Sequence, residues 1–320
     1  MSELLGKGIR MLVQISMPQE QIRQIQALAP QMRIDQLKRS DARYYEALRE
    51  AHIVVGWPRV EDLPQAGNLR WLQIAGAGAN RYVDVLPSHV ILTNASGVFG
   101  IPIAEHVFAM MLAFTRGIPQ ALDAAKRSAW LGYMTLGELF GSTCGIVGLG
   151  DIGTEVARRA KAFGMRVIAV KRTLGIKPEC VDELRDASEL DWLLESSDHV
   201  VVTLPGTVHT TNMIDAGRLS LMRPGSYIYN IGRGSVIDES ALIQALREGR
   251  PAGAGLDVFA DEPLPVESDL WRLPNVIITP HVAGSTPQHG ARLAQIVMRN
   301  LPRFLAGQPL ENLVDRYWGY

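Results

Sequence analysis

The chain is poor in the features that mark several protein classes. It has only 2 cysteines in 320 residues, Cys144 and Cys180. They are too few for a disulfide framework and lack metal-site spacing, so a reducing compartment and no metal site are expected. There is no excess of charge of either sign: 32 Lys and Arg stand against 33 Asp and Glu, a net charge of −1. Such a balance offers no general attraction for nucleic acid or an anionic membrane. Long apolar runs are also missing. The most apolar helix candidate, Ile101 to Phe114, contains Glu105 and His106 and is too short to span a bilayer. The first residues, Met1 to Met11, carry Glu3, Lys7 and Arg10 and do not have the pattern of a signal peptide. No internal repeat, low-complexity tract or charge run stands out. These absences leave a cytoplasmic globular protein, long enough for two domains with proper cores.

What is present is an alternation of short β-rich runs and helical patterns. Strand candidates are Arg10–Ile15, Ile53–Gly56, Leu69–Ile74, Val90–Thr93, Gly145–Gly148, Val167–Val170, His199–Leu204, Ser226–Asn230, Gly253–Val258 and Val276–Thr279. Amphipathic stretches such as Gln19–Leu28, Ile152–Phe163 and Glu239–Glu248 lie between them. This order predicts βαβ units and parallel sheets covered on both faces, an α/β protein.

The most informative run is Gly145-Ile146-Val147-Gly148-Leu149-Gly150-Asp151-Ile152-Gly153. It carries the spacing G-x-G-x-x-G between a strand candidate and a helix candidate. There Gly148 allows the tight turn, Gly150 lets the backbone approach a pyrophosphate, and Gly153 lets helix and strand pack closely. Free N–H groups from Gly148 through Leu149, Gly150, Asp151 and Ile152 to Gly153 would then face the phosphates at the positive end of a helix dipole. Because this motif needs a βαβαβ unit after it, a dinucleotide-binding domain over residues 97–286 is expected. It would be inserted into a substrate domain formed by residues 1–96 and 287–320. Two chain crossings would make a hinge, with the active site in the cleft.

The end of the next strand discriminates between cofactors. An acidic residue about 20 positions past the glycines usually bonds the ribose diol of NAD. This chain instead reads Val170-Lys171-Arg172-Thr173, two cations and a hydroxyl suited to a 2′-phosphate. One or two charge-assisted hydrogen bonds, each about 1.5–3 kcal/mol, would favour NADP, with NAD as the alternative.

Three later strand candidates end in chemistry-bearing residues. Arg233 lies in Asn230-Ile231-Gly232-Arg233-Gly234, Glu262 follows Asp257-Val258-Phe259-Ala260-Asp261, and His281 sits in Thr279-Pro280-His281. Ligands of open parallel sheets bind at the carboxyl ends of strands. An Arg, a Glu and a His are also the set needed to reduce a 2-oxo acid. The guanidinium grips the carboxylate, the imidazolium protonates the carbonyl oxygen, and the carboxylate orients and charges the imidazole.

With these motifs in place, the chain resembles the D-isomer-specific 2-hydroxyacid dehydrogenases, in particular glyoxylate and hydroxypyruvate reductases. The likeness runs most clearly from Leu72 onward. It rests on Ala75-Gly76-Ala77-Gly78, Ile103-Ala104-Glu105-His106, the glycine run, the Arg233, Glu262 and His281 segments, and Asn312-Leu313-Val314-Asp315. The resemblance implies a Rossmann nucleotide domain within a flavodoxin-like substrate domain. It also implies Arg233 as carboxylate ligand, His281 as acid/base, Glu262 as its partner, and backbone N–H groups around Ala77 and Gly78 on the substrate carboxylate. Leu204 and Ile231 join the cofactor-binding residues, with Pro205 against the nicotinamide and Asp257 near its carboxamide. Homodimers joined through the nucleotide domains are implied as well.

Other residues carry less. His106 is expected to pack at the domain junction, and Cys144 to be core without a redox role. Trp57 is either a pocket residue or a packed loop aromatic; Trp130 is either core or a residue reaching the other subunit's site. Three further functional readings stay open. One is a non-catalytic dinucleotide sensor like the corepressors of this fold. Another is formate or phosphite oxidation, disfavoured by Glu262 where formate enzymes carry Gln. The third is a phosphoglycerate dehydrogenase without a regulatory domain.

Overall fold

The structure, a computed structural model, describes residues 8–318. The chain forms two compact units. One comprises Met1–Phe99 with Thr286–Tyr320, and the other Gly100–Ser285.

The first unit contains β1 (Arg10–Val13), β2 (Arg33–Gln36), β3 (Ile53–Gly56), β4 (Trp71–Ile74) and β5 (Ile91–Thr93) in a parallel sheet of order β2-β1-β3-β4-β5. This is the flavodoxin-like order. Strand side chains alternate between faces, and both faces are buried. Met11, Val13, Ile53, Val55 and Trp71 pack with Leu293, Val297 and Leu301 of the C-terminal helix His289–Leu305. Leu12, Val54, Leu72 and Ile74 pack on the other side with Tyr44, Leu48 and Tyr82. The last helix therefore belongs to the first sheet because it covers one of that sheet's two apolar faces.

The second unit contains β6 (Thr143–Val147), β7 (Arg166–Lys171), β8 (Glu183–Asp186), β9 (His199–Val202), β10 (Tyr227–Asn230), β11 (Gly253–Leu256) and β12 (Val276–Ile278). They form one parallel sheet of order β12-β11-β10-β9-β6-β7-β8. The order reverses between β6 and β9, the switch point at which doubly wound sheets bind dinucleotides. One face is buried by Val147, Val170, Val200, Val202, Ile228 and Leu256 with the helices Leu190–Ser196 and Glu239–Arg247. On the other face the helix Gly100–Thr115 comes so close that a Cβ at Gly255 would stand 2.8 Å from the Met110 sulfur. Cys144 is fully buried in β6, and burial pushes its thiol up to about 12, which suits a core residue.

Two strands are absent from the expected set, β2 (RIDQ) and β8 (ELRD). Each lies at an edge of its sheet, where one backbone side is unpaired and charged side chains protect the edge. Neither therefore shows an apolar alternation. Trp130 is 98% exposed, which overturns the core reading of that residue. Among the described residues, no single helix is long and apolar enough to cross a membrane.

Candidate active site

In the second unit the glycine run does what its spacing requires. Gly148 follows β6 with φ +96°, and a Cβ there would meet the Leu204 and Thr203 side chains at 2.8 and 3.0 Å. At Gly153 a Cβ would lie 2.4 Å from the Gly148 carbonyl oxygen, so helix and turn pack only if that residue is glycine. At Gly150 a Cβ would meet nothing within 4 Å, which leaves open space beside the start of the helix Asp151–Ala162. No side chain caps that helix at Gly150. A helix N-terminus with open space at Gly150 fits a phosphate group, and the residues present fit a dinucleotide.

Lys171 ends β7 half-buried, and Arg172 and Thr173 continue exposed beyond it. The acid nearest in register is Asp186 of β8, opposite Lys171. Its carboxylate, however, accepts from the Ser188 N–H at 3.0 Å, capping the following turn.

The loops after β9 and β10 interlock. A Cβ at Gly232 would lie 2.4 Å from the Leu204 carbonyl oxygen, and the Ile231 N–H donates to the Val202 carbonyl at 3.2 Å. Pro205 is fixed by Thr210, whose hydroxyl donates to its carbonyl at 2.7 Å. Arg233 is half-buried. Its guanidinium donates to its neighbour's carbonyl, Gly232, at 2.7 Å, and its stem lies over Gly206. Burial lowers its pKa, while the Glu262 charge pulls it back up. At Gly234 a Cβ would overlap Phe259 at 1.9 Å, so the Arg233 turn and the segment leading to Glu262 are in direct contact.

His281 and Glu262 meet as expected, with imidazole Nδ1 2.7 Å from carboxylate Oε2. Since the carboxylate only accepts, Nδ1 carries the proton and Nε2 is the nitrogen left for a substrate. The other Glu262 oxygen accepts the Phe259 N–H at 3.1 Å. The histidine backbone is left-handed, φ +53°, a conformation that costs a non-glycine residue about 1–3 kcal/mol and persists only where its surroundings hold it.

Asp257 supplies that hold. It is 2% exposed, and its Oδ1 accepts from the Thr279 hydroxyl at 2.6 Å and the Val282 N–H at 2.9 Å. Oδ2 accepts from the Ala283 N–H at 2.9 Å. The Asp257 carbonyl accepts the His281 N–H, also at 2.9 Å. The carboxylate expected near a carboxamide is therefore engaged by the segment that carries the histidine.

Behind it stands His106, whose Nε2 is 2.9 Å from the Thr279 hydroxyl oxygen. That hydroxyl spends its proton on Asp257, so His106 donates to it. A donor chain His106 to Thr279 to Asp257 results. The sequence pointed His106 to packing and gave Thr279 no role; no local signal links residues 173 positions apart.

Ala77 and Gly78 lie in the first unit, in the loop after β4. Ala77 is exposed and Gly78 half-buried. Among the described residues, the N–H groups of Gly76, Ala77 and Gly78 donate to no acceptor.

Comparison with known proteins agrees with this architecture. Residues 108–283 match the D-isomer specific 2-hydroxyacid dehydrogenase family, NAD binding domain. A glyoxylate reductase of Thermococcus onnurineus is 43% identical over 239 residues, covering 71% of this chain and 70% of the relative. A D-isomer specific 2-hydroxyacid dehydrogenase family protein of Aeromonas salmonicida superposes with TM-score 0.86 at 34% identity, covering 97% of this chain and 100% of its own. An NADPH-dependent glyoxylate/hydroxypyruvate reductase of Sinorhizobium meliloti, solved with NADP and sulfate, superposes with TM-score 0.82 at 29% identity, covering 98% and 100%. The chain belongs to the D-isomer specific 2-hydroxyacid dehydrogenase family.

Proposed function

We propose that this protein reduces small 2-oxo acids, glyoxylate and hydroxypyruvate first among them, to D-2-hydroxy acids with NADPH in preference to NADH. The observation that carries the reading is the 2.7 Å contact of His281 with Glu262, with Arg233 on the neighbouring strand end. The nicotinamide dinucleotide, when bound, supplies the hydride that reduces the keto carbon. Arg233 binds the substrate carboxylate as a planar fork, and the N–H groups of Ala77 and Gly78 offer the same group further donors. His281 gives the Nε2 proton to the carbonyl oxygen, and Glu262 holds the ring and stabilises its charged form. Gly148, Leu149, Gly150, Asp151, Ile152 and Gly153 cradle the pyrophosphate, Lys171, Arg172 and Thr173 take the 2′-phosphate, and Leu204, Pro205, Ile231 and Asp257 border the nicotinamide. The Sinorhizobium meliloti reductase solved with NADP, and a D-isomer specific 2-hydroxyacid dehydrogenase of Xanthobacter autotrophicus solved with NADPH, support this cofactor assignment.

The protein is also proposed to be cytoplasmic and to work as a homodimer. Support for the dimer comes from the second unit, where Ile118, Leu122, Trp130, Tyr133 and Phe140 are exposed apolar residues on one stretch of chain.

The test is steady-state turnover of NADPH with a panel of 2-oxo acids in both directions. His281 must be protonated for reduction and neutral for oxidation, so reduction should weaken with rising pH and oxidation should strengthen; identical profiles would remove His281 from that role. The acid limit of such a profile has a separate origin. Burial pushes His199, stacked on Tyr227 and Tyr229, down to about 4 from its ordinary 6.5. Its folded pKa is depressed, so the stability it supports is whole above pH 6.5 and is lost as pH falls toward 4. Replacing Lys171 by Asp should move preference from NADPH toward NADH by tenfold or more, read as the ratio of kcat/KM values; an unchanged ratio would count against the assignment of that strand end.

A further inference from the structure

The loop that offers the Gly76, Ala77 and Gly78 N–H groups is anchored at its root by a histidine the sequence did not single out. His289 opens the helix His289–Leu305, and its Nε2 lies 2.7 Å from the Ala75 carbonyl oxygen. A carbonyl only accepts, so Nε2 carries the proton. The ring stacks with two aromatics, with Trp57 at 5.7 Å and 13° and with Phe99 at 5.4 Å and 26°.

Each aromatic partner is fixed in turn. Trp57 follows Gly56, where a Cβ would stand 2.6 Å from the Gln14 side chain, and precedes Pro58, whose carbonyl accepts from the buried Tyr82 hydroxyl at 2.8 Å. The indole also lies so close to Gly76 that a Cβ there would be 3.2 Å from Trp57 Nε1. The helix start is pressed onto the loop after β1, since a Cβ at Gly290 would lie 2.2 Å from the Ser16 carbonyl oxygen. Arg292 donates to the Val98 carbonyl at 3.2 Å, which ties the same helix turn to the residue before Phe99. At its root the loop is also held by backbone bonds, Ala75 N–H to the Gly56 carbonyl at 3.2 Å and Ala95 N–H to the Gly76 carbonyl at 2.9 Å.

We infer that His289, stacked with Trp57 and Phe99, is a positioning residue that holds the 75–78 loop so that its amide N–H groups face a substrate carboxylate. This rests on the proposed reduction of 2-oxo acids. The proton that His289 donates goes to a fixed backbone carbonyl, so its role is in binding and not in proton transfer. A contact that holds the carboxylate equally before and during reaction changes KM and leaves kcat alone.

Two variants separate the parts of the device. His289→Phe keeps a ring stacked with the two aromatics and loses the donor; His289→Gln places an amide N–H where Nε2 stands and loses the ring stacking. In His289→Phe, the KM for glyoxylate should rise about tenfold, while kcat and the KM for NADPH stay within about twofold of wild type. Amide exchange at Ala75 and Ala95, the two N–H groups bonded at the loop root, should quicken about tenfold. His289→Gln should restore the glyoxylate KM to within about threefold. Unchanged exchange at Ala75 and Ala95 in His289→Phe, or an unchanged glyoxylate KM, overturns the positioning role. Lack of turnover by the wild-type protein with every 2-oxo acid sinks the reductase reading instead, and the exchange rates then decide on the anchoring of the loop alone.

Discussion

Asp257 and Glu262 both act on the segment that carries His281, and they do so from opposite environments. Asp257 is buried and accepts from two backbone N–H groups and one hydroxyl of that segment. Glu262 is exposed and touches the imidazole itself. A buried carboxylate left without its donors is costly, so Asp257 and the loop it binds stabilise each other. An exposed carboxylate gains little from pairing, so Glu262 contributes chiefly by orienting one ring through its contact with Nδ1. One acid fixes where the backbone goes; the other fixes what the side chain does there.

Substitutions can break that distinction. The largest effect should come from His281→Ala, which removes the group both acids hold. Reduction should slow by about 10³-fold with little change in the affinity for NADPH; a loss under tenfold would mean the two carboxylates hold something other than the proton donor. Asp257→Asn comes next. Its new amide would face the Ala283 N–H donor to donor, at about 1–3 kcal/mol, and free the left-handed backbone of His281. Both melting temperature and rate should fall, the former by several degrees and the latter by about 10²-fold. A rate loss without a thermal shift would refute the backbone role. Glu262→Gln should be mildest, about tenfold in kcat/KM with melting temperature unchanged; a thermal shift as large as that of Asp257→Asn would erase the difference between the two acids.

How much of this was legible in the chain depends on how local each signal is. Gly148, Gly150 and Gly153 act within one turn, so their spacing alone revealed the tight strand-to-helix turn. Arg233, Glu262 and His281 were legible because each follows an apolar strand at a sheet's carboxyl edge. The central strands read clearly since both faces are buried, whereas Arg33–Gln36 and Glu183–Asp186 hide their strand character behind edge charges. The His106 to Thr279 to Asp257 chain and the His289 stacking were not legible. Both are made by residues from distant parts of the chain, and a lone histidine carries no periodicity. Asp257 itself was found, but its hold on the segment that carries His281 was not.

The strand that delivers the histidine is short and peripheral. β12 has three residues, all only partly buried, and pairs with β11 alone at the end of the seven-stranded order. Sheet margins open at lower free energy than sheet centres. The glycine cradle leads out of β6, which is paired on both sides by β7 and β9. Mild denaturant should therefore silence the reaction before it loosens the cradle, leaving a protein that still holds its dinucleotide and no longer uses it.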